Sequence, residues 1–187
     1  MPTAIDPIVL ASASPRRAEL LRAAGIPFEV HPADVDETPF AQELPEAHVR
    51  RLATAKAEAV RARLPGRTVL AADTIVVCDG RILGKPKDAR DAGEMLAMLS
   101  GRGHTVLTGL AIVKDGVMHV AVEATDVWFA ELSSDEIAVY IESGEPMDKA
   151  GAYAVQGLAS RFVERIEGNY ANVVGLPVAR VYRLLTR

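Results

Sequence analysis

Residues 68–78 read TVLAADTIVVC. Val69, Ala71, Ile75 and Val77 alternate with Leu70, Ala72 and Val76, so both faces of the run are apolar, with Asp73 and Thr74 as the exceptions. A strand with two apolar faces has to be covered on both sides, which places it in the middle of a sheet flanked by helices. Downstream, Asp79-Gly80 marks a hairpin turn. Residues 88–99 predict a helix that stops at Ser100-Gly101, and 104–114 and 117–130 predict two long strands joined by Lys114-Asp115-Gly116. Ser133 or Ser134 opens a helix to about Ser143, 144–157 is a Gly-rich segment, 161–166 reads as a strand, and Pro177 starts a closing helix over 177–186. Upstream, 46–63 predicts a helix, 32–45 a loop holding Pro32, Pro39 and Pro45, and 27–31 a strand. Residues 7–12 (PIVLAS) read as the first strand. Ser14 then stands as an N-cap with Pro15 at the first helical position, and Gly25 stops that helix. Strands and helices mix without strict alternation. The expected fold class is therefore α/β, a mixed twisted sheet flanked by helices, with residues 1–187 as a single domain. The length also admits two lobes around a cleft.

Bulk properties narrow the partners. The chain has 187 residues, 49% of them hydrophobic, and a formal net charge of −4. Non-specific binding of long nucleic acid calls for net positive charge, so no polymeric nucleic acid is expected, whereas a small anion needs only a local group of Lys and Arg. The single cysteine, Cys78, lies in an apolar run and builds neither a disulfide framework nor a zinc site. That usage suits the cytoplasm. No run reaches the roughly 18 apolar residues of a membrane span, so no membrane partner is expected. The opening MPTAIDPIVLASAS faintly imitates a secretion leader. It has no Lys or Arg before its apolar stretch and it carries Asp6, so it reads as strand.

Four features break the local rules. Arg16 and Arg17 lie in the first turn of a helix, where the macrodipole disfavours cations, with Ser12 and Ser14 just upstream. Free amides, hydroxyls and guanidinium groups together make a phosphate cradle; the plainer reading leaves both arginines in solvent. Asp73 is a carboxylate on an apolar strand, which calls for a metal, a cation or a catalytic role, or else a structural ion pair. Lys56 interrupts the helical stripe Val49, Leu52, Ala53, Val60, and either snorkels to the surface or reaches an internal polar site. Gly84-Lys85-Pro86 and Gly144 to Gly157 have the make-up of loops that bring backbone to a ligand, or of ordinary turns. Gly84-Lys85-Pro86 is not a Walker A sequence, and Gly101-Arg102-Gly103 is not a dinucleotide fingerprint. No G-x-S-x-G or H-E-x-x-H occurs, and His31, His48, His104 and His119 are scattered, so acids are the expected metal ligands and the metal a hard cation such as Mg²⁺ or Mn²⁺.

The same positions carry a resemblance. Leu10-Ala11-Ser12-Ala13-Ser14-Pro15-Arg16-Arg17, Val35-Asp36-Glu37, Ala71-Ala72-Asp73-Thr74-Ile75-Val76, Gly84-Lys85-Pro86, Ser100-Gly101, Gly144 to Gly157 and Asn172-Val173-Val174-Gly175-Leu176-Pro177 follow in the order found in the Maf-like nucleotide pyrophosphatases. The chain resembles that family over nearly its whole length. The resemblance implies an inosine triphosphate pyrophosphatase-like fold with a cleft between two lobes, often in a homodimer. It implies hydrolysis of a nucleoside triphosphate to the monophosphate and pyrophosphate, assisted by a divalent metal. It casts Asp73 as catalytic base or metal-bound acid, Glu37 as a metal partner, and Ser12, Arg17, Lys56 and Lys85 as triphosphate contacts. Arg16, Thr74 and Gln156 match the subgroup acting on dTTP, UTP and modified pyrimidine nucleotides rather than the 7-methyl-GTP subgroup. The family is also linked to septum formation and cell-division arrest. That gives a second reading, a regulator acting through a protein partner, and a third is a nucleotide sensor that hydrolyses slowly.

Overall fold

The computed structural model describes residues 5–186; residues 1–4, where the leader-like stretch begins, and Arg187 lie outside it. Among the described residues one mixed sheet holds β1 (Ile8–Leu10), β2 (Phe28–Val30), β3 (Val69–Cys78), β4 (Arg81–Leu83), β5 (Gly103–Lys114), β6 (Val117–Phe129) and β7 (Val163–Glu167). Their order is β2-β1-β3-β5-β6-β7, with β4 paired to β3. β1 runs parallel to β2 and β3, whereas β4 is antiparallel to β3 and β7 to β6. The helices are α1 (Pro15–Ala23), α2 (Pro45–Arg63), α3 (Ala89–Leu99), α4 (Ser134–Glu142), α5 (Tyr170–Val174) and α6 (Val178–Leu185). The mixed α/β class predicted from TVLAADTIVVC is the class observed. None of these helices is long and apolar enough to cross a membrane.

The chain divides into two compact units. The first is Met1–Asp73, Thr108–Glu123 and Gly175–Arg187; the second is Thr74–Leu107 and Ala124–Val174. In the first unit the period of two along each strand sorts the core into two layers. Ile8, Leu10, Leu70, Ala72, Leu110 and Ile112 pack with Leu21 of α1 and with Val181 and Leu185 of α6. Val9, Ala11, Val69, Ala71, Ala111 and Val113 pack with Ala53, Ala57 and Val60 of α2. Asp73 continues the series of Val69 and Ala71, so its carboxylate falls on the side that α2 covers. Gly109 lets helix and sheet come this close, because a Cβ there would run into the backbone carbonyl of Val49. We expect Gly109→Ala to destabilise the protein by about 2 kcal/mol, since backbone rather than a flexible side chain is in the way. A lower urea midpoint at unchanged m-value would show it, and an unshifted midpoint would refute it.

The second unit has its own core, including Val76, Leu96, Val127, Phe129, Tyr140 and Phe162. His104 is buried in it, edge-on to Phe129 and Tyr153, with Nε2 2.8 Å from the Tyr153 hydroxyl. Its Nδ1 has no hydrogen-bond partner among the described residues. Burial lowers the His104 pKa to about 4, with Asp126 opposing weakly. In the unfolded chain the ring titrates near its ordinary 6.5. Between those values the unfolded state takes up a proton that the folded state refuses. Stability is therefore full above pH 6.5 and falls as pH drops towards 4, by up to about 3 kcal/mol. Urea titrations at pH 7 and 4.5 check this. His104→Gln should flatten the pH dependence.

Local departures from the sequence reading have physical causes. Ser14 does take the N-cap position of α1, but its hydroxyl makes no capping bond; its own amide donates to Ser12 Oγ at 3.2 Å. Pro15 at the first helical position leaves one fewer unpaired amide at that helix end. The Asp79-Gly80 and Asp115-Gly116 turns have φ of 48°, 75°, 50° and 79°, the positive pairs that tight hairpins require. The Gly-rich segment folds into 3-10 turns at Glu145–Asp148 and Ala150–Ala152. A third at Leu158–Phe162 buries Ala159 and Phe162 at the i, i+3 spacing of such a turn and delays β7 to Val163.

Candidate active site

Lys56 lies one turn beyond Leu52 on the stripe by which α2 packs on the sheet, and it is buried. Its Nζ donates to Asp73 Oδ1 at 2.7 Å and pairs with Glu37 Oε1 at 2.5 Å. Asp73 is only 7% exposed, so an unpartnered carboxylate there would be strongly destabilising. Lys56 thus reaches an internal polar site rather than the surface, and Asp73 has the cation its environment demands. Glu37 approaches the same ammonium from an exposed loop.

That loop has no regular secondary structure, yet it is tied down. Arg51 of α2 donates through Nε and Nη2 to the two Glu43 oxygens at 2.6 and 2.8 Å, and through Nη2 to the Thr38 carbonyl at 3.1 Å. Its guanidinium lies 3.9 Å from the Phe40 ring centroid. His48 Nδ1 and the Phe40 amide complete the shell around the Glu43 carboxylate at 2.9 and 3.1 Å. Hydrogen bonding from Arg51 holds the Glu43 carboxyl well below the usual carboxylate range. Neither Glu43 nor Arg51 stands out in the sequence, because each reads as an ordinary surface charge.

Ser12 is buried where the chain leaves β1. Its hydroxyl accepts from Arg17 Nη1 at 3.0 Å. The same Nη1 donates to the Ala72 carbonyl at 2.8 Å, and Nε donates to the Gly175 carbonyl at 2.9 Å. Arg17 therefore fastens three chain segments together, one of them the residue before Asp73. Burial works against its charge and lowers its pKa; the Asp73 and Glu37 carboxylates oppose that shift and Arg16 adds to it. Guanidinium remains a cation throughout. The solvent-facing reading of the arginine pair fails for Arg17, and Arg16 is half-buried beside it.

The remaining candidates belong to the second unit. Thr74 follows Asp73 on β3 and is half-buried. Lys85 is exposed just after β4, and the Gly84 carbonyl before it accepts from the Gly151 amide at 3.0 Å. This bond joins the two loop segments picked out in the sequence. Gly151 has φ 68° and lies against the Val76 side chain, so both conformation and space call for glycine there. Gln156 is exposed on the same Gly-rich segment.

Among the described residues no group of three or more His, Cys, Asp or Glu is placed to hold a metal. Two carboxylates do converge on one cation, the Lys56 ammonium. Mg²⁺ is commonly held by one or two carboxylates, with water and substrate phosphates completing its shell, and Asp73 with Glu37 fits that donor set.

A family profile described as Maf-like protein matches residues 7–187. The chain belongs to the Maf-like family. This Maf-like chain is 54% identical over 180 residues to the protein named dTTP/UTP pyrophosphatase of Koribacter versatilis, covering 96% of this chain and 93% of that one. To the protein of the same name in Citrifermentans bemidjiense it is 57% identical over 176 residues, covering 93% and 91%. The Ham1 protein of Staphylococcus aureus superposes at a TM-score of 0.49 with 18% identity, over 67% of this chain and 73% of that one.

Proposed function

We propose that residues 1–187 act as one domain that hydrolyses dTTP and UTP, and modified pyrimidine nucleotides, to the monophosphate and pyrophosphate with a divalent cation, Mg²⁺ or Mn²⁺. The observation that carries this reading is the Asp73–Lys56–Glu37 cluster, a buried acid paired with a buried ammonium, with a second acid on the same ammonium. The choice of nucleotide follows the relatives at 54% and 57% identity. When bound, the metal supplies positive charge to phosphate oxygens and acidifies water. Asp73 takes the proton of the water that attacks the α-phosphorus. The bond from that phosphorus to the α–β bridging oxygen breaks, and the electron pair leaves with pyrophosphate. Lys56, Lys85 and the Ser12 hydroxyl hold phosphate oxygens as charge moves outward. Arg17 sets the Ser12 hydroxyl and adds its charge.

Arg16, Thr74 and Gln156 are assigned to the base. A Gln amide offers both donors and an acceptor to the acceptor–donor–acceptor edge of uracil or thymine, and Arg donates to a carbonyl oxygen. A site built on such bonds rejects a base that leaves them unmade. In competition at equal concentrations we expect dTTP and UTP to be hydrolysed ahead of dATP and GTP. A preference for purine triphosphates or 7-methylguanosine triphosphate would overturn the base assignment and leave the pyrophosphatase standing. The cytoplasm is the proposed location, in keeping with a buried free Cys78. A homodimer is proposed as well; sedimentation at the mass of a single chain at every concentration would refute it.

A further inference from the structure

Glu145 opens a 3-10 turn just after α4, and the reaction above asks nothing of it. Its carboxylate is nonetheless a hub. Oε1 accepts from the Tyr140 hydroxyl at 2.8 Å and from the Ala159 amide at 3.4 Å, and Oε2 accepts from the Leu158 amide at 3.0 Å. The Tyr140 oxygen in turn accepts from the Ala154 amide at 3.1 Å. One hydroxyl–carboxylate pair therefore grips the backbone on both sides of Gln156. Between the two grips the Gly157 amide closes back on the Ala154 carbonyl at 3.0 Å. Gly157 lies so near the carboxylate that a Cβ there would overlap it.

The clamp itself is rigid. Tyr140 is fully buried with its ring edge-on to Phe162, 5.4 Å between centroids. Burial, followed by the Glu145 hydrogen bond, raises its pKa, so the hydroxyl stays protonated as a donor to Glu145. At the other end of the turn, Lys149 Nζ donates to the Glu145 carbonyl at 2.6 Å. A Gly-rich segment has much backbone freedom to lose, and a side chain that reads a base must be held to about 0.5 Å. We propose that Tyr140 and Glu145 are positioning residues for Gln156, fixing the loop from which its amide selects the pyrimidine. The proposal rests on the reading of Gln156 as a base contact.

The test uses Tyr140→Phe, which keeps the ring and removes the hydroxyl, in the full chain. Amide exchange at Ala154, Leu158 and Ala159 should quicken about 10-fold or more, with exchange in β3 unchanged. The ratio of kcat/KM for dTTP over dATP should fall about 10-fold, mainly through KM, while kcat for dTTP stays within about threefold. Glu145→Gln, which keeps the Oε1 acceptor, should give an intermediate ratio. In a Gln156→Ala background, Tyr140→Phe should leave the ratio where Gln156→Ala has already put it, because the reader is gone. An unchanged ratio in Tyr140→Phe, or an equal fall in both backgrounds, overturns the positioning role. An unchanged ratio in Gln156→Ala alone overturns the base assignment and this proposal with it. The two failures are distinct, because the second is seen with the clamp intact.

Discussion

Replacing Asp73 by Asn is expected to lower nucleotide hydrolysis at least about 10²-fold, with the fold retained. Asn keeps the shape of the side chain and an oxygen that can accept from Lys56 Nζ, now at 2.7 Å from Oδ1. It cannot take the proton of an attacking water, and it gives a metal ion a neutral ligand in place of an anionic one. Lys56 retains Glu37, so the buried ammonium is not left without an anion and the loss of stability stays near about 1–2 kcal/mol. Pyrophosphate release with Mg²⁺, measured beside a denaturant titration of the same sample, separates the two effects. Near-normal turnover in a folded Asp73→Asn protein would place the chemistry on another residue.

Lys56→Ala is expected to cut kcat/KM by about 10³-fold, and by a similar factor for every triphosphate accepted. Phosphates are common to all these substrates, so a residue that serves them carries no information about the base. The substitution also strips Asp73 of its cation inside the first unit's core, and removing one partner of a buried pair costs about 3–5 kcal/mol. Lys56→Met, which keeps the stem packed along α2, separates the missing charge from the missing volume. A change of base preference with overall rate preserved would show that Lys56 serves the base instead.

Much of this was legible in the sequence, for identifiable reasons. The strand Val69–Cys78 and the Asp79-Gly80 and Asp115-Gly116 turns are local, and their residue types state the conformation directly. Asp73 and Lys56 were legible because each breaks an apolar pattern, and a broken pattern needs a partner. What stayed hidden is held by backbone groups. The bonds of Arg17 to Ala72 and Gly175 end on carbonyl oxygens, which carry no residue identity. The Glu145 hub gathers two amides and a hydroxyl, so it reads in sequence as one more acid after a glycine. The short helix α5 and the delayed start of β7 depend on packing around Asn172 and Phe162, and no periodicity in so few residues announces them.

The bond between Arg17 and the Gly175 carbonyl spans 158 positions of chain. Leu176, Val181 and Leu185 join the core of the first unit from the same closing segment. Synthesis therefore finishes the two units in the reverse of the order in which it starts them. The second has all its residues once Val174 is made, whereas the first waits for Gly175–Arg187. Units fold as they become complete. Until that segment is made, a nascent chain carries Ser12 and Arg17 without the Gly175 carbonyl that Arg17 Nε binds.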